Sequence, residues 1–238
     1  MFEEALRYPT NGEKAFERLL IGGVLLILSV FVLPVFVVYG YLVRSLAAVA
    51  AGEEEPPAFE DWFELFVVGL KAFVISFVYA IVPIVVAILF FVPLSVSTAV
   101  NGGGNGASGV LAGIGVLAFL VLVVVSLAIV YVVMAALTNF AVEDRLGAAF
   151  EFGTIGTLAT SEPYVIAIVL AIVVQVLVAA VIMAAIVFTF GLALLVLLPL
   201  GAFIQFWLYL VTVYLFGAAY REAMDEAGTA GDVAGTSA

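Results

Sequence analysis

Apolar and polar positions fall into long blocks along this chain. The 25 residues between Arg18 and Arg44 carry no charge. As one helix they rise about 37 Å, enough to cross a hydrocarbon core about 30 Å thick. The next apolar run, Leu65 to Val100, is too long for one crossing and contains Lys71, Pro83 and Pro93. Its start is expected at the interface, its membrane part at about Ala72 to Val92, with a kink at Pro83. NGGGNGASG, Asn101 to Gly109, reads as a turn, and a third helix follows from about Val110 to Val142. The 56 uncharged residues from Tyr164 to Ala219 suffice for two helices with Gly191 near their turn. The total is five spans, which puts the chain ends on opposite faces. A break at Pro34 would make the first run a re-entrant hairpin and raise the count to six. Against it, Val35 to Val43 is too short to span and FVLPVF has no polar turn residue.

Two polar stretches carry amphipathic patterns. In GEEEPPAFEDWFELF, the acids Glu60, Asp61 and Glu64 share one helical side, while Phe59, Trp62, Phe63, Phe66 and Leu70 form a broad apolar one. This predicts an interfacial helix over Phe59 to Leu70, with Phe59, Trp62, Phe63 and Phe66 as anchors. The segment Glu143 to Glu162 repeats the pattern with Leu146, Phe150, Phe152, Ile155 and Leu158. Near the N-terminus, Thr10 and Glu13 match a capping box, so a helix is expected from about Asn11 into the first span. The start does not read as a secretory signal, because acids precede the apolar run and no small-residue cleavage pattern closes it. The fold class expected is all-α: a polytopic integral membrane helical bundle of about five transmembrane helices with two interfacial amphipathic helices. Residues 1–224 form one membrane domain and residues 225–238 a disordered acidic tail.

Composition confirms the membrane reading and narrows the chemistry. Hydrophobic residues make up 66% of the chain and charged residues 11%, against about one half and one quarter in soluble domains. Cysteine and histidine are both absent, which removes disulfides, the usual zinc sites and Ser-His or Cys-His dyads. No metal or cofactor is expected. The net charge of −11 argues against nucleic acid, and no polybasic cluster addresses anionic lipid. Five spans divide the bases nearly evenly, with Arg44, Lys71, Arg145 and Arg221 on one face and Arg7, Lys14 and Arg18 on the other. The hairpin alternative gathers all seven on one side. In both cases the face with Arg44 is expected to be cytoplasmic.

Few residues offer chemistry. Gln175 and Gln205 lie 16 residues before and 14 after Gly191, so adjacent antiparallel helices bring them to similar depth. A hydrogen bond holding the hairpin and a polar substrate site are the two readings of this pair. Thr138 and Asn139 read as polar packing. Arg44, Lys71 and Arg145, with Arg221 on the same face, suit either snorkelling and pairing with Glu64 and Asp144 or convergence on a lipid phosphate. Gly102 to Gly104 lack the Lys-Ser/Thr of a phosphate loop. No Asp or Glu lies well inside a span, so the usual coupling site of an ion-driven transporter is missing. The class expected is a non-enzymatic protein that organises membrane lipid or binds a partner, either another membrane protein or a second copy of the chain. A small transporter or channel using Gln175 and Gln205 is the alternative, and an intramembrane enzyme is least supported.

Gly40-Tyr-Leu-Val-Arg44 and Gly217-Ala-Ala-Tyr-Arg221 each close an apolar helix with an earlier proline, Pro34 or Pro199, an echo that suggests internal duplication. LRYPTNGEKAFERLLIGG and YGYLVRSLAAVAAGEEEPPAFEDWFELFVVGLKA resemble the signature segments of an archaeal membrane-protein family of unknown function, commonest in salt-loving archaea. The resemblance covers Leu6 to Met224. Its specific part is Gly40, Arg44, Gly52-Glu53, Pro56-Pro57, Phe59, Asp61-Trp62 and Gly69-Leu70-Lys71. A fainter similarity links the helix, Gly-Glu-Pro-Phe-Asp loop and helix to membrane domains beside glycerophosphodiesterases. Neither implies a catalytic residue.

Overall fold

The computed structural model describes residues 1–100 and 107–236, and all its regular elements there are helical. The chain divides into two compact units, Met1–Phe73 with Ala135–Ala238, and Val74–Met134. Five helical stretches are long and apolar enough to cross a membrane: Leu33–Ala50, Trp62–Ser97, Gly113–Glu143, Glu162–Phe188 and Leu200–Glu226.

The first apolar run departs from the single span expected. Helix α1 is Phe2–Arg7, a 3₁₀ turn covers Tyr8–Thr10, and α2 is Ala15–Ile27. The Thr10 hydroxyl donates back to the Arg7 carbonyl at 2.8 Å, so it closes a turn instead of capping a helix at Asn11. A 3₁₀ segment, Leu28–Phe31, extends α2, and α3 begins at Leu33 and ends at Ala50. Between them Val32 takes φ 65°. Pro34, in the first turn of α3, has no N–H to leave unpaired and is preset for helix. The chain therefore reverses in an apolar sequence. The legs match: 13 α residues plus four 3₁₀ residues rise about 28 Å and the 18 residues of α3 about 27 Å. A β-branched residue at positive φ is strained by about 1–3 kcal/mol. Val32→Gly should raise stability by about 1 kcal/mol, read as a higher thermal midpoint in detergent.

Hydrogen bonds fix the hairpin's direction. Asn11 Nδ2 donates to the Glu54 carbonyl at 3.0 Å, Arg18 Nη1 to the Pro56 carbonyl at 2.5 Å, and the Tyr8 hydroxyl to the Ser45 carbonyl at 3.5 Å. The start of α2 thus lies beside the end of α3. The N-terminus also lies against the charged stretch of α8, because Tyr214 donates to Glu4 at 3.4 Å and Met1 lines one cavity with Arg221, Glu222, Asp225 and Glu226. The geometry follows the Pro34 hairpin alternative, since the hairpin adds a reversal that a five-pass count omits.

Helix α4, Trp62–Val100, runs through both Pro83 and Pro93. It starts three residues after Phe59 and has no interruption near Leu70, so the first interfacial segment is a loop followed by the opening turns of a long helix. Helix α5 is Ala107–Glu143. The glycine-rich turn expected before it falls mainly on 101–106, outside the described residues. A 3₁₀ segment, Leu146–Phe150, and α6, Phe152–Thr160, form the second amphipathic piece, with Ile155 and Leu158 buried. Helix α7, Glu162–Phe188, has Pro163 in its first turn, and α8 is Leu194–Thr236. Gly191, at φ 86°, lies in the turn between them and donates to the Ile186 carbonyl at 2.8 Å. The segment expected to be a disordered tail carries helical backbone to Thr236.

Within the first unit α8 packs against α2, α3 and α7. Glycines permit the closest approaches. A Cβ at Gly40 would collide with the Leu65 carbonyl oxygen, and one at Gly69 with the Phe36 carbonyl oxygen, so α3 and α4 cross backbone to backbone. Phe206 and Phe203 of α8 fill the hollows at Gly22 and Gly23 of α2, while a Cβ at Gly217 would come within 2.8 Å of Val49 Cβ. Gly40 and Gly217, the echo noted in the sequence, thus both serve close helix crossings. In the second unit Leu94 stands against Gly115, and most large apolar side chains are exposed, as a lipid-facing surface requires.

Candidate functional site

The charged residues of the first unit build one face. Arg18 lies at its centre and is only 4% exposed. Its Nη1 and Nη2 donate to the carbonyls of Pro56 and Asn11, while Nε has no partner and no carboxylate forms an ion pair with it among the described residues. Tyr41 donates to the Pro57 carbonyl at 2.9 Å. Phe59 stacks on Tyr41 with ring centroids 3.8 Å apart, and contacts Phe206 and Trp62. Gly52–Asp61 is therefore a loop held from beneath by a buried guanidinium, two prolines and an aromatic stack, with its acids outward. Burial raises the Tyr8 phenol well above its ordinary range, so it remains a donor.

The four bases expected on one face are there, but they do not converge. Arg44 pairs with Glu64 at 3.2 Å and donates to the Glu60 carbonyl at 3.0 Å. Arg145 pairs with Glu151 at 2.6 Å and Glu143 at 3.2 Å, not with Asp144; bonds to these two carboxylates raise its pKa further. Glu143 in turn interacts with Tyr220, which places this group at the Arg221 end of α8. Arg221 Nη1 lies 3.2 Å from where a Cβ on Gly52 would stand. Lys71 sits about 14 Å into α4 from Trp62 and makes no ion pair among the described residues. Arg7, Lys14 and Arg18 join this face through the hairpin. No charged residue occurs in 72–142 or 163–220.

Of the predicted anchors, Trp62 and Phe63 are exposed, Phe63 at 80%. Phe59 is packed in the stack, and Phe66 lies edge-on to Phe36 at 5.5 Å; the loop before α4 and the Gly40–Gly69 crossing turn both inward. Phe16 and Phe152 are exposed beside the charged face. Phe16 was missed; the available signal was an aromatic residue among charges at the start of an apolar run.

Gln175 and Gln205 occupy one level of the α7–α8 pair. Tyr164 packs on Phe216 at 5.4 Å, and 11 residues onward and 11 back (164 + 11, 216 − 11) lead to these two positions. Among the described residues no hydrogen bond joins them. Gln205 instead interacts with Tyr209 one turn on, and Tyr39 of α3 is near Tyr209. Asn139 and Thr138 are buried; Asn139 Nδ2 donates to the Ala148 carbonyl at 2.8 Å and ties α5 to the segment that follows.

A family model described as a protein of unknown function, DUF4013, matches residues 24–188, from the α2–α3 hairpin to the end of α7. The chain belongs to the DUF4013 family. No curated protein and no solved structure matches it. The DUF4013 match includes the Gly40–Gly69 crossing, the Gly52–Asp61 loop and Gln175, whereas Arg18 and Gln205 lie outside it. With five candidate spans, this member of the family is a multi-pass membrane protein.

Proposed function

We propose that this protein is a non-enzymatic accessory protein of the cell membrane, which presents a rigid charged platform to a partner at the cytoplasmic face. The observation that carries this reading is the clamped Gly52–Asp61 loop. A buried arginine and an aromatic stack hold a segment whose acids form no ion pair among the described residues, and ordering a loop costs conformational entropy that a mere connector need not spend. Gathering of the bases on this face, with uncharged segments elsewhere, supports its cytoplasmic orientation under the positive-inside rule. The acid excess with only two lysines supports an origin in a salt-loving archaeon.

The test compares two assays on the full chain. Purified from its own membranes, it is expected to carry one protein in fixed ratio, lost when Glu53, Glu54, Glu55 and Glu60 are replaced by glutamine. Reconstituted into liposomes, it is expected to give no ion or solute flux above empty vesicles. Flux that disappears in Gln175→Leu/Gln205→Leu would establish the transporter reading and overturn this one.

A further inference from the structure

We propose that two copies of this chain associate within the membrane through the α7–α8 face, with Gln175 and Gln205 bonding across the interface. This is independent of whether a partner docks on the charged face. The buried stripe of α7, Tyr164, Ala167, Ala171 and Val174, faces α8. Gln175, one turn beyond Ala171, lies at the edge of that stripe and is partly exposed. Gln205 is at the same level on α8 and is partly exposed, and Tyr209, one turn on, lies near Tyr39 of α3, which is 42% exposed. Three helices thus bring uncharged donors and acceptors to one level of a stretch without charge.

The Gln175 amide has no hydrogen-bond partner among the described residues. In hydrocarbon an amide cannot turn to water instead, so its two donors and one acceptor demand an outside partner. A second copy fits the chemistry. An amide carries both donor and acceptor, so a two-fold axis lets each glutamine give what it needs to receive. Exposed Ile172 and Val176 on the same helix supply apolar packing around the bonds. An ionic ligand finds no counter-charge here.

The chain has no cysteine, so engineered thiols report cleanly. Ala179→Cys lies one turn from Gln175 on the same side of α7, and Val173→Cys points away. In liposomes under mild oxidation, the first is expected to give a disulfide-linked dimer and the second little. The unoxidised dimer should dissociate about tenfold more readily in Gln175→Leu, and more still in Gln175→Leu/Gln205→Leu. Helicity and thermal midpoint of the double variant should match the wild type, which separates lost association from lost folding. A wild-type chain that stays monomeric at every lipid ratio, equal cross-linking at positions 173 and 179, or a dimer indifferent to both replacements overturns the proposal.

Discussion

Gly40→Leu is expected to prevent stable assembly of the first unit, and Gly40→Ala to destabilise it by about 3 kcal/mol. The physical reason is the backbone crossing of α3 and α4. A Cβ at Gly40 would enter the space of the Leu65 carbonyl oxygen, and the reciprocal contact at Gly69 is just as close. Neither neighbour is a flexible side-chain end that can move aside, so the helices must separate. Overpacking in a tight core costs about 1–3 kcal/mol, and separation here would also pull Phe59 from its stack and Arg44 from Glu64. Gly156→Ala is the control, because nothing lies within 4 Å of a Cβ there. Thermal unfolding in detergent should show a large drop for Gly40→Ala and Gly69→Ala and almost none for Gly156→Ala. Equal midpoints in all three would mean that α3 and α4 do not cross at these glycines.

Arg18→Ala is expected to cost about 3 kcal/mol and to free the Gly52–Asp61 loop. Hydrogen bonds to a charged donor contribute about 1.5–3 kcal/mol each, and removal leaves the Pro56 and Asn11 carbonyls without their donor. Part of that loss is offset, because a buried guanidinium without a carboxylate carries a desolvation penalty. Arg18→Met, which keeps the apolar stem, should be milder than Arg18→Ala. The readout that separates a clamp from general packing is cleavage by a glutamate-specific protease at Glu53, Glu54 and Glu55. Cleavage should accelerate strongly in Arg18→Ala while sites beside Glu151 change little. Unchanged cleavage of the loop would remove Arg18 from the role given to it.

The long helices were legible in the sequence because lipid imposes a length and a polarity on every segment that crosses it. The turn at Gly191 was legible too, since glycine there takes a φ that few residues adopt. The first hairpin was legible only as the alternative to a single span, for two reasons. Arg44 was taken to end the helix, yet α3 continues to Ala50 because Glu64 and the Glu60 carbonyl engage the guanidinium. FVLPVF was read as continuous because it lacks a polar turn residue, yet a strained Val32 followed by Pro34 suffices for the reversal. The level of Gln175 and Gln205 followed from counting residues either side of Gly191. Their failure to bond did not, because sequence distance fixes height along a helix but not the direction in which an edge residue points. Arg18 enters the sequence reading only as the edge of the first apolar run and as one of the bases counted on a face. Its burial depends on Pro56, 38 residues away, and no local pattern announces such a contact.

The hairpin makes a direct demand on topology: the start of α2 and the Glu226 region of α8 must lie on the same side of the membrane, the cytoplasmic side in the orientation proposed above. Single cysteines at Glu13 and Glu226 can be placed in the cysteine-free chain and treated with a membrane-impermeant maleimide in intact cells and in inverted vesicles. Labelling of both positions in inverted vesicles, and of neither in intact cells, is the result expected. Labelling of Glu13→Cys from outside with Glu226→Cys protected would contradict the account, because the first apolar run would then cross the membrane once and Arg18 could not reach Pro56.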